Sequence, residues 1–306
     1  MDPMTLFDTH AHPIADDPVR YPPGLLRGQT ELPKIPPPVT DAMLLDWMDA
    51  NGVARACLVQ RAHLYGYDNS YAVDCALARP DRFVSVGVFD AQDPSTPGIV
   101  EGLITDKGLG GARLCQVRPW EMDTAWFNSP QAMKFWETAA RHRLPVAIIF
   151  FHYHLPYAIP ALGLVADLFP ELPIIVDHVG CGHGSTPEVV WGREKGFDVD
   201  APGAPDYGLT GNVAALAARK NVSFKFTQIC IDRLREANIP LADFVRRLTD
   251  LHGPDRLVWG SDIGQSGGTY AEMAAAAHEA GARLNEQEKA LFFHGNAAAI
   301  YEGTSR

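Results

Sequence analysis

The stretch Pro145-Val146-Ala147-Ile148-Ile149-Phe150-Phe151-His152-Tyr153-His154 decides how this chain folds. Six consecutive apolar residues, rich in β-branched and aromatic side chains, leave no polar face for solvent. Such a run fits a parallel strand covered on both sides better than a half-exposed antiparallel one. A proline precedes it, and histidines follow at once.

The same grammar repeats outward in both directions. Apolar runs at 6–10, 56–60, 83–88, 111–114, 146–151, 174–178, 222–227 and 257–260 read as strands. Amphipathic stretches at 41–50, 70–78, 131–142, 158–169, 212–219, 241–251 and 270–280 read as helices between them. Strand and helix alternating about eight times is the pattern of βαβ units, and the count predicts a closed (β/α)8 TIM barrel forming one domain over 1–306. An open doubly wound sheet is the structural alternative, weakened because no G-x-G-x-x-G or P-loop follows any strand. Thr40 and Gly52 bracket the first helix as cap and stop, while Pro80, Pro145, Pro173 and Pro254 each stand just ahead of a strand. Two insertions follow strands directly: proline-rich 13–39 and glycine- and proline-rich 180–211. In a barrel they lie on the face where βα-loops build active sites, which makes them lid candidates.

Composition narrows the class of function. Apolar residues are 46% and charged residues 21% of 306, the balance of an ordinary globular protein. A net charge of −11 argues against nucleic acid or anionic membrane as partner, but leaves an anionic small molecule open. Five scattered cysteines with no C-x-x-C pair suit free thiols in a reducing compartment. No secretory signal pattern stands at the start and no apolar run is long enough for a bilayer, so the expectation is a cytoplasmic protein, with a homo-oligomer possible.

Chemistry concentrates at the strand ends. The first strand ends Asp8-Thr9-His10-Ala11-His12, and alternation along a strand sends His10 and His12 the same way. The fifth strand runs into His152 and His154, the sixth into Asp177-His178, and the last into Gly260-Ser261-Asp262. Histidine and carboxylate recurring at C-terminal strand ends is where barrel enzymes place catalytic groups, and both residue types ligate zinc or another divalent metal. Packing alone explains one such end, as a core histidine at His178 or a helix cap at Asp262, but not four together.

These residues resemble the amidohydrolase superfamily, in its amidohydrolase-related branch of pyrone-dicarboxylate lactonases, sugar lactonases and related decarboxylases. The resemblance covers nearly the whole chain. It is carried by Asp8-Thr9-His10-Ala11-His12, Val59-Gln60 with Gly66-Tyr67-Asp68-Asn69, and Gly110-Gly111-Ala112-Arg113. Further matches are Val176-Asp177-His178-Val179-Gly180, Phe224-Lys225, Trp259-Gly260-Ser261-Asp262 and Gly295-Asn296-Ala297. It implies a TIM barrel in which His10, His12, His152, His178 and Asp262 hold a divalent ion, zinc or else manganese, or in which the imidazoles polarise the scissile carbonyl without metal. Asp262 and His178 are the implied catalytic pair, with Asp262 activating water. The chain departs from many of these lactonases after Asp262, where Trp-Pro is replaced by Ile263-Gly264-Gln265-Ser266-Gly267-Gly268. On the fifth strand, His152 and His154 both compete for the ligand position.

Substrate charge follows from cations on the same end. Arg61 follows the second strand, Arg113 ends the fourth with Arg118 shortly after, and Lys225 alternates with Phe224 and Phe226. On an acidic protein these point to an organic acid held through its carboxylate, with Gln60 and His154 as further contacts; internal ion pairs are the competing explanation for Arg113 and Lys225. The expected reaction is opening of a lactone or related ester by activated water. The alternatives are metal-dependent decarboxylation of an aromatic or muconate-type acid, and a barrel that only binds an acid.

Overall fold

The structure is a computed structural model and describes residues 5–117, 123–151, 154–180 and 213–302. Eight parallel strands are joined in sequence order, β1 (Leu6–Ala11), β2 (Val53–Val59), β3 (Phe83–Phe89), β4 (Gly111–Cys115), β5 (Val146–Ile149), β6 (Ile174–Val176), β7 (Val222–Thr227) and β8 (Leu257–Gly260). Consecutive order excludes the doubly wound alternative, in which the first strand lies inside the sheet. β8 returns to β1 through the Asp262 N–H donating to His10 O (2.7 Å), the His12 N–H to Ile263 O (2.8 Å) and Thr9 Oγ1 to Trp259 O (2.6 Å). The chain is a (β/α)8 TIM barrel.

Local signals act as their chemistry dictates. Thr40 accepts from the Met43 N–H at the start of helix Asp41–Ala50, and Gly52 turns the chain out at φ +67°. The carbonyls of Pro145 and Pro173, which need only accept, take the N–H groups of Ala112 and Val146. The amphipathic stretch 212–219 is not a full helix: only the single turn Val213–Leu216 forms, among residues half of which are small alanines with little area to bury.

Alternation along the strands divides the apolar residues into two layers. Leu58, Leu114, Ile148, Phe224 and Trp259 face the surrounding helices, while Phe7, Val59, Val86, Ala147, Ile175 and Val258 fill the barrel with Tyr301 from the last helix against them. β1 loses regular register between Asp8 and Ala11. That irregularity lets Phe7 face the interior, Asp8 turn outward, and His10 and His12 face inward again; re-aiming of side chains is what a bulge does next to a site. Outward-facing Asp8 is fully buried and accepts from Ser261 N (2.8 Å), Ser261 Oγ (2.6 Å), Tyr270 OH (3.0 Å) and His10 N (2.9 Å). It therefore fastens β1 to the segment after β8.

At the opposite end from the site, His252 is buried against Phe224 with ring centroids 4.0 Å apart, and neither ring nitrogen has a hydrogen-bond partner among the described residues. Burial first, and the Arg256 guanidinium second, push its pKa down to about 4. Between pH 6.5 and about 4 the unfolded chain takes up a proton here that the folded chain does not, so stability falls as pH drops through that window, by up to roughly 3 kcal/mol. Replacing His252 with Leu is expected to flatten that part of the profile, measured as urea-unfolding free energy between pH 7 and pH 4.5.

Candidate active site

The polar residues of the barrel interior begin one layer above the apolar fill. Asp177, fully buried at the end of β6, lies 2.7 Å from Arg113 Nε through Oδ2 and 3.0 Å from Lys225 Nζ through Oδ1. Burial alone would raise its pKa, but the Lys225 ammonium and the Arg113 guanidinium outweigh this and hold it well below the usual carboxylate range. Two cations around one anion leave one net positive charge beneath the strand ends.

That charge sets the state of His10. Its Nδ1 lies 3.0 Å from Lys225 Nζ. Burial, and then the charges of Lys225 and Arg113, push its pKa well down, so the ring is neutral. An ammonium has only protons to give; Nδ1 therefore accepts, and the ring proton sits on Nε2. His12 is arranged the other way. Its Nδ1 faces the Val59 carbonyl at 2.8 Å, which can only accept, so the proton is on Nδ1 and Nε2 presents a bare lone pair. Burial likewise lowers its pKa.

Asp262 completes a triangle. The two Nε2 atoms are 3.2 Å apart, and each is 3.4 Å from Asp262 Oδ1. Among the described residues that buried oxygen has no closer partner than the two imidazoles, while Oδ2 accepts from Ser266 Oγ at 2.6 Å. Burial would raise Asp262, but the neighbouring His12 and His178 and the Ser266 hydroxyl together lower it, so it stands ionised near neutral pH. It is not a helix cap: helix Tyr270–Ala280 takes its capping box from Thr269 and Glu272.

Strain marks two of the strand ends. β6 stops at Val176 instead of running through His178, because His178 (φ +54°) and Val179 (φ +52°) are left-handed, which swings the imidazole over the barrel mouth. Thr227 Oγ1 meets His178 Nδ1 at 2.7 Å, and the Cys230 thiol donates to its carbonyl. Asp262 is left-handed too, at φ +62°. Such residues cost on the order of 1–3 kcal/mol each and gather where function requires them.

The triangle suits a metal ion. Around a tetrahedral ion with bonds of about 2.0–2.1 Å, donor atoms lie roughly 3.4 Å apart, the spacing seen here. An orphaned carboxylate oxygen beside two imidazoles is the expected donor set. Loading His10 Nε2 would displace its proton. A second cluster, His10, Asp177 and His178, is less suited, because both oxygens of Asp177 already face cations.

Above the triangle opens a cavity of about 390 Å³, within the range of small-molecule sites. His12, His178 and Asp262 line it, with Arg61, Arg113 and His63 on its walls and Gln29 and Pro33 contributed by insertion 13–39. Arg61 is half-buried; its Nε donates to Gln265 Oε1 (3.0 Å), and its Nη1, shielded from solvent, has no partner among the described residues. Lys225 lies below the cavity rather than on its wall. Gln60 spends its amide on the carbonyls of Gly66 (3.0 Å) and Asp68 (2.9 Å), shaping the loop that follows Arg61. His154 is buried at the start of helix Leu155–Leu168, 3.4 Å from Gln116 Nε2. His152, Arg118 and most of insertion 180–211 lie outside the described residues. The sequence reading gave no role to Asp177 or Ser266. Asp177 was adjacent to a quoted histidine, so its signal was present; nothing in the sequence singled out Ser266.

The amidohydrolase family model matches residues 7–303. The chain belongs to the amidohydrolase family and is an enzyme. Its relatives include L-fucono-1,5-lactonase of Burkholderia ambifaria, 25% identical over 284 residues, 87% of this chain and 89% of that protein. A probable 2-pyrone-4,6-dicarboxylic acid hydrolase of Acinetobacter baumannii, with citric acid bound, shares the fold at TM-score 0.72 and 18% identity, covering 97% of this chain and 99% of that one. A dihydroxybenzoic acid decarboxylase of Polaromonas sp. JS666, with manganese and the inhibitor 2-nitroresorcinol, superposes at TM-score 0.64 and 15% identity, covering 97% of each chain. The barrel is common to both reactions, so fold does not separate them.

Gly260 tests how closely the amidohydrolase triangle depends on packing. A Cβ there would overlap His10 Cβ and crowd the His10 backbone. Gly260→Ala is expected to cost about 1–3 kcal/mol of unfolding free energy. It should also lower kcat by about 100-fold through displacement of His10, read by denaturation and by kinetics on the same preparation.

Proposed function

We propose that this enzyme opens a lactone, or a closely related carboxylic ester, of an organic acid by attack of water. The observation that carries this reading is the ionised Asp262 carboxylate, buried at the cavity floor with Oδ1 3.4 Å from two imidazole nitrogens and no closer partner among the described residues. A proton acceptor in that state is what attack by water requires. The relationship to L-fucono-1,5-lactonase supports it.

The residues divide the work as follows. Asp262 Oδ1 accepts a proton from the attacking water as its oxygen bonds to the lactone carbonyl carbon. The His10 Nε2–H, fixed in that tautomer by Lys225, faces the developing oxyanion, and the net positive charge of the Arg113–Asp177–Lys225 group stabilises it from below. Collapse breaks the ring C–O bond, and Asp262 returns its proton to the leaving alkoxide, giving the open hydroxy acid. His178, held over the cavity by Thr227, positions the carbonyl. Arg61 takes the substrate carboxylate with its unpartnered guanidinium edge, and Arg113 forms the opposite wall. A divalent ion, zinc before manganese, would be held by His10, His12 and Asp262 with His178 and His152 as further ligands, and would supply polarisation of the carbonyl and acidification of water in place of the His10 N–H. Residues 1–306 act as one catalytic domain, in the cytoplasm.

The deciding experiment is a panel of acidic lactones and aromatic acids, followed by base consumption and CO2 release together with elemental analysis of the purified protein. Base uptake without CO2 is expected; CO2 release without base uptake would move the assignment to decarboxylation. Asp262→Asn is expected to lower kcat at least about 1,000-fold with the unfolding transition unchanged, and near-full activity would remove Asp262 as the proton carrier. Arg61→Met is expected to raise KM about tenfold for lactones bearing a carboxylate and to leave uncharged lactones unaffected, as steady-state kinetics on matched substrates will show.

A further inference from the structure

The segment Ile263-Gly264-Gln265-Ser266 has no part in the reaction derived above, yet its geometry is closely specified. The Asp262 carbonyl accepts from the N–H groups of Gln265 (3.2 Å) and Ser266 (2.9 Å), folding the chain back over Asp262. Ile263 O accepts from the His12 N–H at 2.8 Å. Gly264, at φ +85°, lies so close that a Cβ would overlap the His12 carbonyl oxygen. The turn is thus pinned to the strand end that carries both imidazoles.

From that turn Ser266 reaches back, and its Oγ–H donates to Asp262 Oδ2 at 2.6 Å, the length of a charge-assisted bond. The contact is partly buried. An ionised carboxylate only accepts and a serine hydroxyl has one proton, so that proton is committed to Asp262. The carboxylate torsion of an aspartate is broad and two-fold, so its own rotamer does not decide which way the oxygens face. A donor on one oxygen does decide it. We infer that Ser266 is the positioning residue for the Asp262 carboxylate: it holds Oδ2 on the turn and thereby keeps Oδ1 facing the two Nε2 atoms and the attacking water. Ser266 is not among the residues that line the cavity; it acts through Asp262.

This inference rests on Asp262 being the proton carrier, so the test separates the two. Ser266→Ala, Ser266→Thr, Gly267→Ala and Asp262→Asn are compared with the wild type on a lactone that the panel shows to be hydrolysed. Ser266→Ala is expected to lower kcat about 10- to 100-fold with KM within about twofold, because orientation of the base matters after substrate is bound. Ser266→Thr keeps the hydroxyl and is expected to restore kcat to within about threefold. Gly267→Ala, whose added Cβ meets nothing within 4 Å, is expected to leave kcat and KM at wild-type values. If Ser266→Ala keeps kcat within about twofold while Asp262→Asn is inactive, the positioning role is overturned and the reading of Asp262 stands. An equal loss in Gly267→Ala overturns it as well, since loosening of the turn would then be the cause. Should no substrate be hydrolysed, the crystal structure of Ser266→Ala decides. A carboxylate rotated so that neither oxygen faces both imidazoles supports the inference, and one unmoved from 3.4 Å to each Nε2 overturns it.

Discussion

The ion pairs of Asp177 inside the barrel are what the site is built upon. Taking a carboxylate out of water costs several kcal/mol, which only well-placed cations offset. Arg113 from β4 and Lys225 from β7 supply them, so β4, β6 and β7, all on one side of the barrel, are tied at one height. Burial, reinforced by the surplus positive charge, keeps His10 neutral, and the direction of the Lys225 proton fixes which nitrogen of that ring faces the cavity. A buried ion-pair group thereby determines the hydrogen-bonding character of a residue at the cavity floor.

Three aspartates buried within the same region show how environment assigns role. Asp8 is dominated by burial, which raises its pKa, and four donors fill its oxygens; it serves as a fastener between β1 and the segment after β8. Asp177 is dominated in the end by its two cations and stays ionised as a counter-charge. Asp262 alone of the three combines an ionised carboxylate with an oxygen that faces imidazoles instead of a cation or a set of donors. Identical side chains carry structure, charge and chemistry according to what surrounds them.

The fold itself is neutral about the reaction. Barrels of the same architecture include a probable 2-pyrone-4,6-dicarboxylic acid hydrolase and a dihydroxybenzoic acid decarboxylase. In this chain the βα-loops shape the site: the 13–39 insertion that brings Gln29 and Pro33 to the cavity, the left-handed turn through His178 and Val179, and the tight turn from Asp262 to Ser266. These loops are strained or closely packed where the strands are regular, and they decide which oxygen and which nitrogen face the substrate.

The sequence by itself determined a parallel α/β fold of about eight units, because alternation between doubly buried strands and amphipathic helices is a local pattern; the strand order then excluded an open doubly wound sheet. It also determined that His10, His12, His178 and Asp262 stand near one another, since strand ends in a parallel barrel share one face. Tertiary structure alone decided the rest. The irregularity in β1 that turns Asp8 outward, the pairing of Arg113 and Lys225 with a shared Asp177, and the assignment of Gln60 to a loop depend on partners up to 262 residues apart in the chain. Ser266 had no signal at all, because a hydroxyl becomes a positioning device only once a turn brings it to 2.6 Å from a carboxylate. Periodicity is encoded residue by residue, whereas hydrogen-bond direction and charge state belong to the neighbours, and neighbours exist only after folding.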